Sequence, residues 1–210
     1  EVSKKLQEAV SLTARRKLDE ARALYEEIAL EYPNAGVPPL SRFYSLTSSK
    51  EELQSFLNDL QSDEELSLMT RARAFVQAGQ TKEAVDFLAD HSAEHELDGE
   101  TALYFVNLMD RIGSTNDATQ FMIQFLEDSS GSEKSAQIAK ELMSRRETMF
   151  YDQPIRILEA LQTAVVENKI PYETITLGLD NLVGRFMNSD QYFLTRPEII
   201  EHAAESGLFC

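Results

Sequence analysis

Two histidines, His91 and His95, are the residues of this sequence whose type and spacing best fit metal chemistry. Residues four apart lie on one face of an unbroken helix, and two imidazoles so placed can bind one zinc ion. Asp90 and Glu94 lie beside them. However, no cysteine or third histidine is near, and the surrounding polar residues are typical of a helix end. We therefore expect a polar helix end, with no metal site and no cofactor.

The sequence contains none of the short motifs that usually mark catalysis. It has no glycine-rich phosphate loop and no Gly-x-Ser-x-Gly, and its single cysteine, Cys210, has no histidine in a suitable context. The carboxylates fall mostly on predicted exposed faces, although a carboxylate pair cannot be recognised from sequence. We expect a protein that is not an enzyme.

Two short basic clusters, Arg15-Arg16-Lys17 and Arg145-Arg146, lie late in predicted helices. Cations at these positions complement the partial negative charge of a helix C-terminus. We expect this structural role for both clusters, with binding of a phosphate group or an acidic peptide as the alternative.

The overall charge of the chain is strongly acidic. Its 210 residues carry 20 basic and 36 acidic side chains, a formal net charge of −16, and the excess is concentrated in residues 51–100. This charge repels phosphate backbones, so we expect no nucleic-acid partner. It either maintains solubility or attracts a basic partner. No apolar run approaches the roughly 18 residues of a membrane span, so we expect no membrane-spanning helix.

The compartment stays open on sequence grounds. A single cysteine excludes a disulfide framework within the chain and says little about the redox environment. The cytoplasm is favoured, but a signal removed upstream is compatible with a sequence that starts at Glu1. Both ends interrupt helical or apolar patterns, and we therefore expect a piece of a longer protein.

A repeat with a period near 34 residues organises the first part of the chain. Gly79 and Gly113 are 34 residues apart, and so are Ala84 and Ala118. A fixed period of this length, with small residues in phase, is typical of stacked helix–turn–helix pairs. Small residues allow two helices to cross closely while larger neighbours interdigitate. The period predicts an all-α fold.

Three stretches share one template of small and large residues: Ala9-x2-Leu12-x5-Leu18-x2-Ala21-x3-Tyr25-x2-Ile28-x4-Pro33, Ala72-x2-Phe75-x3-Gly79-x4-Ala84-x3-Leu88, and Phe105-x3-Met109-x3-Gly113-x4-Ala118-x3-Met122-x2-Phe125. They resemble the tetratricopeptide repeat (TPR) over roughly residues 5–130. The resemblance implies a right-handed α-solenoid of stacked antiparallel helix pairs. The family's tryptophan is absent from the chain, and residues 37–64 match the template poorly.

The expected repeats lie at about 1–34, 37–62 (degenerate), 63–96 and 98–130, followed at 131–210 by a diverged helical continuation or a C-terminal cap. We expect one continuous structural unit. Apolar spacing and turn residues predict helices near 2–16, 18–32, 39–47, 50–61, 63–78, 81–92, 98–112, 115–128, 132–149, 153–168, 171–187 and 196–206.

Individual residues predict the ends of several helices. Proline followed by Asn-Ala-Gly predicts a turn over 33–36. Ser48 or Ser49, Thr81, Asp98 and Thr115 are candidate N-caps, and Gly113 is expected to adopt a positive φ at a helix end.

The resemblance also implies that the first helix of each pair lines a concave groove. In this sequence the groove would present Met69, Arg73, Gln77, Tyr104, Asn107 and Arg111. The two arginines would favour an acidic peptide locally. Some members clamp a peptide carboxylate with lysine and asparagine, but Met69 stands where the first clamp lysine would be. That activity is therefore not carried over.

The leading functional hypothesis is a non-catalytic scaffold for protein–protein contacts, with a protein or peptide as partner. The alternative is a structural or dimerising helical segment whose groove is filled by its own C-terminal helices. A helical-repeat nucleic-acid binder is a third hypothesis, which the net charge disfavours. The oligomeric state and the identity of the partner stay open.

Overall fold

The structure is a computed structural model that describes residues 1–128, 134–145 and 153–175. Ten helices of at least ten residues and no strand occur within these ranges, which confirms the predicted all-α fold. Helical residues resume at 172–175, while the rest of the helix predicted near 171–187 and that near 196–206 lie outside the described residues. The helices are α1 (Val2–Ala14), α2 (Leu18–Glu31), α3 (Pro33–Thr47), α4 (Lys50–Ser62), α5 (Leu68–Gln77), α6 (Thr81–Glu94), α7 (Gly99–Arg111), α8 (Thr115–Asp128), α9 (Ser135–Ser144) and α10 (Gln153–Val166).

Side-chain caps begin α4 and α7 where the sequence predicts them. Ser49 accepts a hydrogen bond from the Glu52 backbone N–H, and the Glu52 carboxylate accepts one from the Ser49 N–H, forming a reciprocal capping box. Asp98 accepts hydrogen bonds from the backbone N–H groups of Glu100 and Thr101. Burial raises the pKa of the Asp98 carboxyl, but the hydrogen bonds outweigh burial and the net pKa is lowered.

The turns inside two helix pairs repeat the same backbone geometry. Gly79 and Gly113 have φ values of +83° and +84°, a region that glycine adopts without steric cost. This confirms the positive φ expected at Gly113. The small positions of the template are also buried as expected, since these alanines are fully inaccessible: Ala9, Ala21, Ala72, Ala84 and Ala118.

The predicted start of α3 is wrong. Residue types predict a turn over 33–36 and a short helix near 39–47, but α3 already begins at Pro33. Proline is tolerated at the first helical position because its missing N–H would have no helical partner there. Pro38 and Pro39 lie inside the helix and remove two backbone hydrogen bonds. Buried side chains of the same helix, such as Leu40 and Phe43, offset this loss by packing in the core.

Gly36 brings the backbones of α2 and α3 into close contact. A Cβ atom at Gly36 would lie 2.5 Å from the Ala29 nitrogen and 2.6 Å from the Ala29 Cα, whereas ordinary contacts are 3.4–4 Å. The same two helices also pack through the rings of Tyr25 and Phe43, whose centroids are 5.2 Å apart. Gly36 is therefore a packing residue and not the turn residue that the sequence suggests.

Two other predicted helix ends and one predicted N-cap are wrong. Helix α5 begins at Leu68, with Ser67 as a side-chain N-cap, and not near 63. Thr81 is the first residue of α6, while the preceding Gln80 is the N-cap and makes no side-chain cap hydrogen bond. Helix α9 ends at Ser144 and not near 149, because the following backbone is extended.

The chain divides into two compact units. In the first unit, Glu1–His95, α2 packs against α1 and α3, α3 also contacts α4 and α5, and α5 packs against α6. In the second, which begins at Glu96, α7 and α10 both pack against α8, and α9 contacts all three. The assignment of four repeats and a 131–210 continuation to one continuous unit stays a prediction.

Candidate functional site

Helices α1, α3 and α5, each the first of a predicted pair, line a cavity of about 630 Å³ in the first unit together with one residue of α2. A volume in this range is typical of sites that bind small molecules or side chains. The lining residues are Val10, Thr13, Ala14, Tyr25, Asn34, Ala35, Pro38, Pro39, Arg42, Phe43, Leu46, Arg73 and Gln77.

Helix α3 contributes the longest side of the cavity. Asn34, Pro38, Arg42 and Leu46 follow one another at intervals of four residues, so they lie along one face of the helix. The row spans about 18 Å at roughly 1.5 Å per helical residue. About five residues of an extended peptide would cover the same length.

The cavity has a buried floor and an exposed apolar rim. Tyr25 and Phe43 are 6% and 3% exposed, so they form the floor and hold the helices in place. Val10 and Leu46, by contrast, are 58% and 69% exposed although they are apolar. Exposed apolar side chains beside a cavity are typical of binding surfaces.

The exposed polar side chains among the described lining residues are two arginines and two amides. Arg42 on α3 and Arg73 on α5 are exposed, as are Asn34 and Gln77. Within the described ranges, the Arg42 guanidinium makes no hydrogen bond or ion pair with the protein. A guanidinium carries five N–H donors that suit carboxylate or phosphate groups.

A hydrogen-bond cluster joins the N-terminal ends of α3 and α5. The Asn34 side-chain oxygen accepts hydrogen bonds from the hydroxyls of Ser67, at 3.2 Å, and Thr70. Ser67 also caps α5 by accepting a hydrogen bond from the Thr70 N–H. These bonds fix the spacing of the two helices that carry Arg42 and Arg73.

The structure brings together two of the three site residues that the sequence places on α5. Arg73 and Gln77 both line the cavity. Met69 is half-buried on the same helix and is not among the cavity-lining residues.

The other three predicted site residues lie on α7, in the second unit. Tyr104 is half-buried, whereas Asn107 and Arg111 are exposed. The Asn107 side-chain amide donates a 2.8 Å hydrogen bond to the backbone oxygen of Leu103, one turn earlier. A role for these residues in binding stays a prediction.

The contribution of α3 to the cavity does not follow from the repeat pattern of the sequence. A turn over 33–36 leaves Asn34 outside any helix face, and the strict 34-residue period pairs Arg73 with Asn107 and Gln77 with Arg111. Yet Ala84 follows Leu53 by 31 residues in the degenerate repeat, and Arg73 follows Arg42 by the same interval. This shortened period was the signal that could have identified Arg42.

The two histidines lie at the end of α6. The ring centroids of His91 and His95 are 4.9 Å apart. Burial, and next the neighbouring His95, lower the pKa of His91. Within the residues that the structure describes, no group of three or more His, Cys, Asp or Glu side chains could hold a metal ion.

The two basic clusters differ in accessibility. Arg15 and Arg16 are exposed and follow the end of α1, and Lys17 pairs with Glu20 at 2.9 Å. Arg145 is buried and donates hydrogen bonds from both terminal nitrogens to the Asp110 carboxylate. Its guanidinium therefore joins α7 to the end of α9. Arg146 lies outside the described residues.

Comparisons with known proteins add no relative from which a function could be inferred. No family model matches the chain, and no curated protein matches it. None of the described helices combines the length and the apolar character needed to cross a membrane.

Proposed function

We propose that this chain is a non-catalytic scaffold for protein–protein contacts, and that the cavity on α1, α3 and α5 binds a peptide segment of a partner. The proposed architecture is the TPR-like right-handed solenoid of helix pairs that the sequence resembles. The support for this architecture is that the first helices of three predicted pairs, α1, α3 and α5, line one cavity. In addition, α3 contacts α5 directly.

The observation that carries the proposal is the combination of exposed apolar and polar groups around one cavity. Val10 and Leu46 remain largely exposed on its rim, and the side chains of Arg42 and Gln77 supply hydrogen-bond donors next to them. An extended peptide needs both kinds of contact, since apolar side chains provide affinity and polar groups fix orientation.

A displayed library of random short peptides tests this proposal. Peptides are selected on the folded chain, and their affinity is then measured by fluorescence anisotropy for wild type and two variants. Leu46→Ser removes an apolar side chain from the rim. Leu30→Ser is the matched control, because Leu30 is 85% exposed on α2 and does not line the cavity.

We expect Leu46→Ser to weaken binding about tenfold, the effect of losing roughly 1.4 kcal/mol of apolar contact, and Leu30→Ser to bind like wild type. Failure to select any peptide, or equal affinities for the two variants, would show that the cavity is not a peptide site.

A second pair of variants separates the cavity from the groove predicted by sequence. Arg73→Ala changes both proposed surfaces, whereas Arg111→Ala changes only the sequence-predicted one. We expect the first to weaken binding. An effect of Arg111→Ala would indicate that the peptide also contacts the second unit.

A further inference from the structure

The charges of the first unit are segregated between alternate helices. Helices α1, α3 and α5, which line the cavity, carry five basic and one acidic side chain in total. Helices α2, α4 and α6 carry three basic and twelve acidic side chains. Although the chain as a whole is strongly acidic, α1, α3 and α5 together carry a net positive charge.

Not all of the five cations reach the cavity. Lys5 on α1 pairs with two carboxylates of α2, Glu27 at 2.6 Å and Glu31 at 2.8 Å. Arg71 on α5 donates a 3.0 Å hydrogen bond to the Gln61 backbone oxygen and lies over the Phe87 ring. Arg42 and Arg73 are the two whose side chains line the cavity.

The cavity is thus locally basic. Two guanidiniums belong to its lining, and none of the described lining residues is an aspartate or a glutamate. In a chain with 36 acidic and 20 basic side chains, a cavity of this composition is complementary to negative charge. A charge-assisted hydrogen bond to a guanidinium is shorter and stronger than a neutral one.

We infer that the occupant of this cavity is an acidic peptide segment. A carboxylate of this segment pairs with Arg42, and a neighbouring apolar side chain lies against Val10 and Leu46. This inference rests on the proposed function and adds the chemical class of the ligand. It also assigns Arg42 as the residue that selects for charge.

A single-stranded nucleic acid is the other anionic polymer that two arginines could attract. Such ligands usually stack their bases on accessible aromatic rings. Among the described lining residues the aromatic side chains are those of Tyr25 and Phe43, and both are buried. The net charge of −16 also repels a continuous phosphate backbone. The structure therefore favours the peptide.

Three fluorescein-labelled peptides of equal length test the inference: one alternating glutamate and leucine, one glutamine and leucine, and one lysine and leucine. Their affinities are measured for wild type, Arg42→Gln and Arg42→Glu. Lys82→Gln is the charge control, because Lys82 is exposed on α6 and does not line the cavity. Far-ultraviolet circular dichroism confirms that each variant is folded, and a labelled single-stranded RNA is titrated in parallel.

We expect wild type to prefer the glutamate peptide. Arg42→Gln should weaken that binding about tenfold, since a hydrogen bond to a charged group contributes roughly 1.5 kcal/mol, and Lys82→Gln should leave it unchanged. Arg42→Glu should reverse the preference and bind the lysine peptide best, a gain that general damage to the fold could not produce.

The outcomes separate the two proposals. If library peptides bind the cavity but the glutamate peptide binds no better than the glutamine peptide, the inference is overturned and the scaffold proposal stands. If no peptide binds in a cavity-dependent way, both are overturned. RNA that binds more tightly than the glutamate peptide, and depends on Arg42, would replace the peptide as the ligand class.

Discussion

Substitution of Gly36 by alanine tests whether the packing of α2 against α3 is as close as the structure shows. Inside a helix this change is normally stabilising, because alanine is favoured over glycine by about 1 kcal/mol. Here the new methyl group would lie 2.5 Å from the Ala29 nitrogen. To reach an ordinary contact of 3.4 Å, α3 must move away from α2 by about 1 Å.

The magnitude follows from these opposing effects. Overpacking against a neighbour costs about 1–3 kcal/mol, and more where the neighbour cannot yield. The atoms that the methyl group meets belong to the Ala29 and Ile28 backbone, so no rotamer change can relieve the contact. We expect Gly36→Ala to lower the free energy of unfolding by about 2 kcal/mol after the helix preference is subtracted.

Urea denaturation followed by circular dichroism measures this change. Ala29→Gly in the Gly36→Ala background is the informative control, since it removes a side chain but leaves the clashing backbone atoms in place, and it should not restore stability. Peptide affinity should fall as well, because α3 carries the longest side of the cavity. A Gly36→Ala protein as stable as wild type would refute the close contact of the two helices.

Three further substitutions test other contacts. Ala84→Leu should destabilise the protein by about 1–3 kcal/mol through overpacking at a fully buried position, while the exposed Lys82 tolerates change within about 0.5 kcal/mol. Equal denaturation midpoints for Ala84→Leu and wild type would contradict close packing at Ala84. Asp98→Ala should cost about 1 kcal/mol at neutral pH through loss of the α7 cap. The folded-state pKa of Asp98 is below its ordinary value of 3.8, so the charged cap stabilises the fold above pH 3.8. The stability difference between wild type and Asp98→Ala should therefore shrink as the pH falls through the folded-state pKa. A difference that does not change with pH would argue against a charged cap. Asp110→Ala should cost about 3 kcal/mol, because it leaves the buried Arg145 guanidinium without its main anion, and a loss below about 0.5 kcal/mol would show that the buried guanidinium does not depend on Asp110.

Much of the helical pattern could be predicted because local signals and packing agree there. Ser49 and Asp98 each combine a side-chain cap with the apolar run that follows, so both helix starts are correct. Gly79 and Gly113 mark turns whose backbone only glycine adopts without cost. In these places the residue type specifies the local conformation by itself.

The region around α3 could not be predicted for the opposite reason. Pro33, Gly36, Pro38 and Pro39 all favour a turn or an interrupted helix when considered locally. The helix forms because tertiary contacts override these preferences, and Gly36 in particular is required by the backbone of another helix. The cavity could not be predicted either, since its lining combines residues of four helices that no single periodic pattern brings together.

The close contact at Gly36 means that α3 packs against α2 and lines the cavity through different residues. On one side α3 is held to α2 by backbone atoms, which do not change when side chains are substituted. On the cavity side, Arg42 and Leu46 are exposed and take no part in that contact. The ligand preference of this helix could therefore be redesigned at a few positions, by evolution or in the laboratory, without dismantling the framework that presents them.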